Sequence, residues 1–450
     1  MLFAVLALRQ LWIVLIDGPA LATNERNPRR TQISIGRGSI VARDGTPLAI
    51  TRGGRRVYPL GSLVAHAIGY ASGRYGTSGL EDAFDGVLTA RPDASDAFTQ
   101  MRDIVTGSRG APRGNDVVTT LDLDIQRELV ADLRTYARGA GVVMDPRTGA
   151  VLALASIPGF DPNTLDRDFP QLSKDERSPL LDRSIAGLYP PGSSFKIVTA
   201  ADALDAEIVT PQSAFVDNGG FRVGTFVVHD DEDEFIGTQT LVGAFALSSN
   251  VDFAQVALKI GVDRWFDYAA RWQLGKSVAF DLPAARDRLP AKADVSPSIL
   301  AQLGFGQASL LVTPLRMALV GATIAGGGVT PRPYLVRSIA GRDTSLATRS
   351  EQLASPVSAE TAHAVRDMMI AVVRSGTGRV AALPGVTVAG KTGTATNPHG
   401  RSHSWFVAFA PAEAPRYVVA VIVENVGYGA TYAAPIARNV LRVALRKERR

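Results

Sequence analysis

The chain contains no cysteine. That absence excludes a disulfide framework, a thiol nucleophile, a thiolate metal site and redox chemistry on sulfur, while leaving the compartment open. Lysine is scarce as well, with seven residues against 41 arginines in 450. Charge of one sign is also in short supply. Lys+Arg 48 and Asp+Glu 43 leave only +5. The basic residues are scattered apart from Arg55-Arg56 and Arg446 to Arg450, so no nucleic-acid partner is indicated. With 46% hydrophobic and 20% charged residues, disordered and fibrous chains are excluded. No internal repeat of fixed period is visible.

What is present suits two or three domains with at least one large core. Met1 to Ile16 is apolar except for Arg9 and Gln10. As a helix it would span about 24 Å, slightly short of a bilayer's hydrocarbon core. Two membrane readings stand: a signal peptide cleaved near Ala20-Leu21-Ala22, or an uncleaved anchor with Arg9 snorkelling or facing a partner helix. A buried soluble helix is the third. Arg26, Arg29 and Arg30 follow the run and no basic residue precedes it, the reverse of the charge order expected for an exported domain.

Residues 31 to 135 read as short strands and turns: Ile33 to Val41 alternates, Arg43-Asp44-Gly45 turns, and Pro47 to Thr51 returns. Thr106 to Asn115 is rich in Gly, Pro and Arg and reads as a loop or linker. Leu123 to Arg138 carries apolar residues at helical spacing. A hairpin follows, Gly141 to Met144 and Val151 to Ala155 around Asp145-Pro146-Arg147-Thr148-Gly149. Far downstream, Val386 to Ala389, Trp405 to Phe409 and Val418 to Val423 are strand-like, and Ala433 to Arg446 is a closing helix. Strands at both ends of a region with helices between them predict an α+β domain whose antiparallel sheet, flanked by helices, is closed by both ends of the region.

Three short patterns carry chemistry. In Ser193-Ser194-Phe195-Lys196, after Tyr189-Pro190-Pro191-Gly192, the prolines and glycine stop regular structure and a helix begins near Ser193. A Ser and a Lys three apart on a helix share a face. Ser193 also meets free backbone N–H groups and the positive helix end, which favour a developing anion. Lys196 can take the hydroxyl proton if burial and a second cation lower its pKa from about 10 towards neutrality. That is serine–lysine acyl transfer. The bland alternative is a capping serine and a solvated lysine.

The second pattern is Gly390-Lys391-Thr392-Gly393-Thr394 at the end of a strand. Gly393 lets a ligand backbone approach, Lys391 offers a fixed cation, and the threonine hydroxyls can donate to a carboxylate. The same segment, Gly385 to Thr392, also fits a phosphate-binding loop letter for letter. That reading needs a loop between the glycines and a helix after the lysine, whereas Val386-Thr387-Val388-Ala389 prefers strand. The third pattern, Ser248-Ser249-Asn250 after a helical run Leu241 to Leu247, gains meaning from order. S-x-x-K, S-x-N and K-T-G occur in sequence, with both lysines drawn from a pool of seven.

In this order the motifs resemble those of penicillin-recognising serine enzymes, and the chain resembles the class B penicillin-binding proteins, the D,D-transpeptidases of peptidoglycan synthesis. Further segments support the likeness: Arg37-Gly38-Ser39-Ile40 with Arg43-Asp44-Gly45, His66, Gly69-Tyr70, Ser78-Gly79-Leu80-Glu81, Asp122, Gln126, Gly306-Gln307, Thr313-Pro314, Ser375-Gly376-Thr377-Gly378 and Trp405-Phe406. Ala42 departs from it, standing where an acidic residue is usual. The resemblance implies a membrane anchor or signal segment (1–22), a smaller non-catalytic domain (23–135) and a transpeptidase domain (136–450). It implies that Ser193 is the nucleophile, Lys196 its base and Ser248 a proton relay. Asn250 would bind the substrate backbone, Lys391 would set the electrostatics, and Thr392, Gly393 and Thr394 would complete substrate binding. The backbone N–H groups of Ser193 and Thr394 would form the oxyanion hole. It implies no cofactor and no metal. Its ligands would be D-Ala-D-Ala stem peptides and β-lactams, and its partner a membrane glycosyltransferase of the shape, elongation, division and sporulation type. The catalytic domain would lie outside the cytoplasm of a bacterium, on a single N-terminal pass.

Alternatives within the same fold are a D,D-carboxypeptidase, a β-lactamase (no E-x-x-L-N stretch is present) and a penicillin-binding sensor or scaffold that does not turn over. Elsewhere, His229 with Asp230 to Glu234 reads as a solvated loop rather than a calcium loop, since no glycine completes it. His399 and His403 have no carboxylate near in sequence and predict no metal site.

Overall fold

The computed structural model describes residues 36–89, 114–230, 237–341, 345–397 and 400–447. The expected membrane segment 1–22, residues 33–35 of the first expected strand, 106–113 of the expected loop, the acidic residues 231–234, His399 and Glu448 to Arg450 lie outside the described residues. Among the described residues no helix is long and apolar enough to cross a membrane. The chain divides into two units. The smaller takes the residues up to Thr119 together with Phe160–Lys174 and Ser338–Ala347, and the larger takes the rest.

The smaller unit is built on a six-stranded sheet, ordered Ser345–Ala347, Val336–Ala340, Asp116–Thr119, Ile40–Val41, Pro47–Arg52, Arg55–Val57. Ile40–Val41 pairs antiparallel with Pro47–Arg52 across the Arg43-Asp44-Gly45 turn, and parallel with Asp116–Thr119. Beside it lies a buried ion cluster. Glu81, its side chain fully buried, accepts Arg37 Nε on one oxygen and Arg56 Nε on the other, both at 2.6 Å. Arg37 Nη1 reaches Asp85 at 2.6 Å.

The larger unit carries a five-stranded antiparallel sheet. In chain order its strands are β1 (Gly139–Met144), β2 (Val151–Ile157), β3 (Ala389–Ala395), β4 (His403–Ala410) and β5 (Tyr417–Val423). In space the order is β3-β4-β5-β1-β2. The β5–β1 pairing, Val418 opposite Met144 to Val423 opposite Gly139, closes the sheet from both ends of the region, as the sequence predicts. The strands are Val- and Ala-rich and buried on both faces, because helices cover both. Helix α1 (Leu123–Leu133) and the closing helix Ala433–Lys447 pack on each other and on the sheet. Leu129 of α1 closes against Gly141, which pairs with Val421. Val407 and Val418, of opposite parity, instead face Gly321 of a helix over Pro314–Ala325, which therefore covers the other face.

Two expectations need correction. Val386 makes only an isolated bridge with Leu383, and the strand runs Ala389–Ala395, so Lys391 lies inside β3 and not beyond its end. The ladder to β4 carries it on, with Thr392 opposite Phe406 and Gly393 opposite Trp405. This removes the phosphate-loop reading, since Gly390 and Lys391 are paired within β3 and no helix follows the lysine among the described residues; the next described element is β4.

Candidate active site

Ser193 lies in a 3₁₀ turn, Gly192–Phe195, that runs directly into a helix over Lys196–Asp205, here α2. Three features hold that turn. Gly192 has φ +53, a conformation that strains any other residue, and a Cβ there would overlap the Thr394 carbonyl of β3. Its N–H donates to the Gly306 carbonyl at 2.9 Å. Ser194 Oγ donates to the Pro191 carbonyl at 2.7 Å, and Trp405 Nε1 donates to the Pro190 carbonyl at 3.0 Å. Gly393 lets β3 come this close: a Cβ there would lie 3.0 Å from the Ser194 nitrogen. Ser193 itself is 9% exposed.

The two lysines of the motifs are fully buried and converge on one residue. Lys196 Nζ donates to the Ser248 carbonyl, to Asn250 Oδ1 at 2.9 Å and, weakly, to Ser248 Oγ at 3.4 Å. Lys391 Nζ donates to the same Ser248 Oγ at 2.7 Å and to the Thr392 carbonyl at 3.1 Å. Phenyl rings back both ammonium groups, Phe253 at 5.5 Å from Lys196 and Phe245 at 5.6 Å from Lys391. Ser248 and Ser249 link helices Leu241–Leu247 and Asn250–Ile260, and Ser248 is left-handed (φ 68, ψ 33). That strained turn points its hydroxyl and carbonyl to the same side. Thr392 Oγ1 and Thr377 Oγ1 are 2.6 Å apart, and Thr394 is half-buried on β3. Thus Lys196, Ser248, Asn250, Lys391 and Thr392 are joined by contacts through Ser248, while Ser193, Gly393 and Thr394 approach them through the packing of the Gly192–Phe195 turn on β3.

Residues outside the three motifs also shape the site. Glu424 accepts from Tyr189 Oη at 2.7 Å, Arg183 Nε at 2.7 Å and Arg138 Nε at 3.1 Å, which fixes the start of the Tyr189 to Ser193 turn. Burial and the Glu424 carboxylate push the Tyr189 hydroxyl far above the usual tyrosine range. His403 is buried on β4, its Nδ1 accepts the Asn425 N–H at 3.2 Å, and burial holds it below the usual histidine range. No grouping of acidic, His or Cys side chains fit for a metal occurs among the described residues. Asp230, expected on a solvated loop, is instead 8% exposed and accepts the backbone N–H groups of Asn250 and Val251.

Comparison with known families agrees with this geometry. The family described as "Penicillin binding protein transpeptidase domain" matches residues 139–442, and "Penicillin binding protein A dimerisation domain" matches 37–117. The chain belongs to the class B penicillin-binding proteins. Among this family's members, the peptidoglycan D,D-transpeptidase PbpA of Mycobacterium tuberculosis is 35% identical over 435 residues, 87% of this chain and 84% of the relative. PbpA of Mycolicibacterium smegmatis is 34% identical over 463 residues, 94% and 90% of the two chains. In structure, penicillin-binding protein A of M. tuberculosis, solved as a ceftriaxone acyl-enzyme, superposes with TM-score 0.85 at 33% identity, covering 92% of this chain and 99% of that one. A D,D-transpeptidase domain from Eggerthella lenta gives 0.82 at 35% identity, covering 92% and 98%.

Proposed function

We propose that this penicillin-binding protein cross-links peptidoglycan stem peptides by serine–lysine acyl transfer. The observation that carries the reading is the convergence of two buried ammonium groups on the Ser248 hydroxyl, 2.7 and 3.4 Å away, beside a serine at a helix start. Ser193 Oγ attacks the carbonyl of the penultimate D-Ala and gives its proton to Lys196. The oxyanion is held by the N–H groups of Ser193 and Thr394. Ser248 passes a proton to the departing D-Ala amine, leaving an acyl ester on Ser193. The amine of a second stem peptide then attacks that ester, forming the cross-link and restoring the serine. Asn250 binds the substrate backbone. Lys391, Thr392, Gly393 and Thr394 receive the terminal carboxylate, and Gly393 lets it come close to β3. A β-lactam, which mimics D-Ala-D-Ala, stops at the ester.

Residues 23–135 serve as the non-catalytic domain and 136–450 as the transpeptidase domain. The chain works at the outer face of a bacterial membrane, held by its N-terminal segment, beside a membrane glycosyltransferase that supplies the glycan strands. The test is intact mass after incubation with penicillin G. The parent gains one penicillin, Ser193→Ala gains none, and a penicillin adduct on the variant overturns the assignment. Incubating a stem-peptide analogue with and without an amine acceptor then separates transpeptidation from carboxypeptidation, and no turnover of either kind leaves a scaffold.

A further inference from the structure

Lys196 has a second neighbourhood that the reaction above does not use. Behind the Ser248–Asn250 turn lie three buried carboxyls from three segments: Asp217 at the end of strand Ala214–Asp217, Asp230 after strand Phe226–Val228, and Asp252 in the first turn of helix Asn250–Ile260. Asp230 Oδ1 accepts the N–H of Asn250 and, at 3.1 Å, that of Val251, while Ser249 Oγ accepts the N–H of Asp252 at 2.9 Å. The first three amides of that helix are thereby satisfied, and the left-handed Ser248 is pinned between two fixed ends. The residue so anchored, Asn250, presents its Oδ1 to Lys196.

A helix start needs no such cluster, because serine or asparagine caps it without burying charge. The Asp217 carboxyl adds to the burial that raises Asp230. Asp230 and Asp252 each interact electrostatically with Lys196. Burial raises Asp230, and burial reinforced by Asp230 and Asp217 raises Asp252 to about 6. The charged groups around the turn are therefore Lys196 from α2, Lys391 from β3 and these three acids. His229 is exposed with Nδ1 3.0 Å from the Gly219 carbonyl, and its own carbonyl accepts from Asn250 Nδ2 at 3.2 Å.

We propose that Asp230 and Asp252 are positioning residues for the acyl transfer: Asp230 anchors the Ser248–Asn250 turn onto Lys196, and the negative charge of the pair sets the pH at which Lys196 can receive the Ser193 proton. An anion beside an ammonium favours the charged form, so these acids move the onset of acylation upward in pH, against the influence of Lys391. The inference rests on the transpeptidase reading.

The experiment is the second-order rate of acylation by penicillin G as a function of pH, for the parent, Asp252→Asn, Asp230→Asn and Asp230→Ala, with folding checked by thermal unfolding. Asp252→Asn is expected to move the rising limb down by about one pH unit, making acylation about tenfold faster below it. Asp230→Asn, whose amide oxygen can still accept both N–H groups, moves it the same way. Asp230→Ala loses the anchor and slows acylation at every pH. If Asp230→Asn does not fold, Asp252→Asn decides alone. An unmoved limb in the folded asparagine variants overturns the inference while leaving the transpeptidase reading intact. A parent that takes no penicillin at any pH overturns both.

Discussion

In the smaller unit Arg37 and Arg56 close on the two oxygens of Glu81, each at 2.6 Å; in the larger unit the described bonds of Lys196 and Lys391 run to hydroxyl, carbonyl and amide oxygens around Ser248. Both places bury two cations, but they use different residues for different work. A guanidinium does not release its proton in a protein and forks onto a carboxylate, so the Arg–Glu–Arg cluster is a fixed joint. An ammonium group can release its proton when its surroundings allow it. In a chain with 41 arginines and seven lysines, Lys196 and Lys391 are the only buried lysines among the described residues. In the proposed reaction Lys196 is buried where a proton has to move, whereas the arginines are buried where a charge has to stay.

The largest effect should come from breaking the fixed joint. Glu81→Ala leaves two buried guanidinium groups without their shared anion, and should cost about 3–5 kcal/mol, read as a lowered midpoint of chemical denaturation. A change under about 1 kcal/mol would mean that the cluster is solvated in solution. At the other pole, Gly192→Ala attacks geometry and leaves every charge in place. With φ +53 and no room beneath Thr394, the turn must shift, and about 100-fold slower penicillin acylation is expected with the denaturation midpoint changed much less. Unchanged acylation would show that Ser193 tolerates displacement and that the packing on β3 does not position it.

The smallest effect should come from a half-exposed pair. Lys447 Nζ meets Asp122 at 2.9 Å and Asp124 at 3.1 Å at the ends of the closing helix and α1, and Lys447→Ala should cost about 0.5–1 kcal/mol or less. Those carboxylates raise the Lys447 pKa against partial burial, so this contribution is full below the ordinary lysine range and fades as pH rises through the raised value. Denaturation midpoints of parent and variant should therefore converge only at strongly alkaline pH.

Much of this was legible in the sequence, and the reasons differ by element. The hairpin β1–β2, strands β4 and β5 and the closing helix announce themselves by periodicity and turn chemistry, and the three motifs by their order. β3 was misplaced because its glycines and threonines give a weaker strand signal than the valines before it, while the ladder to β4 decides the outcome. Asp230 was invisible because a carboxylate in an acidic run looks solvated, and only the fold brings it onto the amides of Asn250 and Val251, 20 and 21 residues away. Glu424 and its two arginines were equally hidden, being 241 and 286 residues apart in the chain.

The smaller unit draws its residues from three stretches of chain, the last of them Ser338–Ala347. On the ribosome, its edge strand Ser345–Ala347 therefore emerges only after about three-quarters of the polypeptide has been made. The unit whose first strands are translated earliest cannot complete its sheet until most of the catalytic chain has followed. Biogenesis thus couples the two units even though each has its own core, and no single cut divides the chain into two fragments that each hold one unit whole.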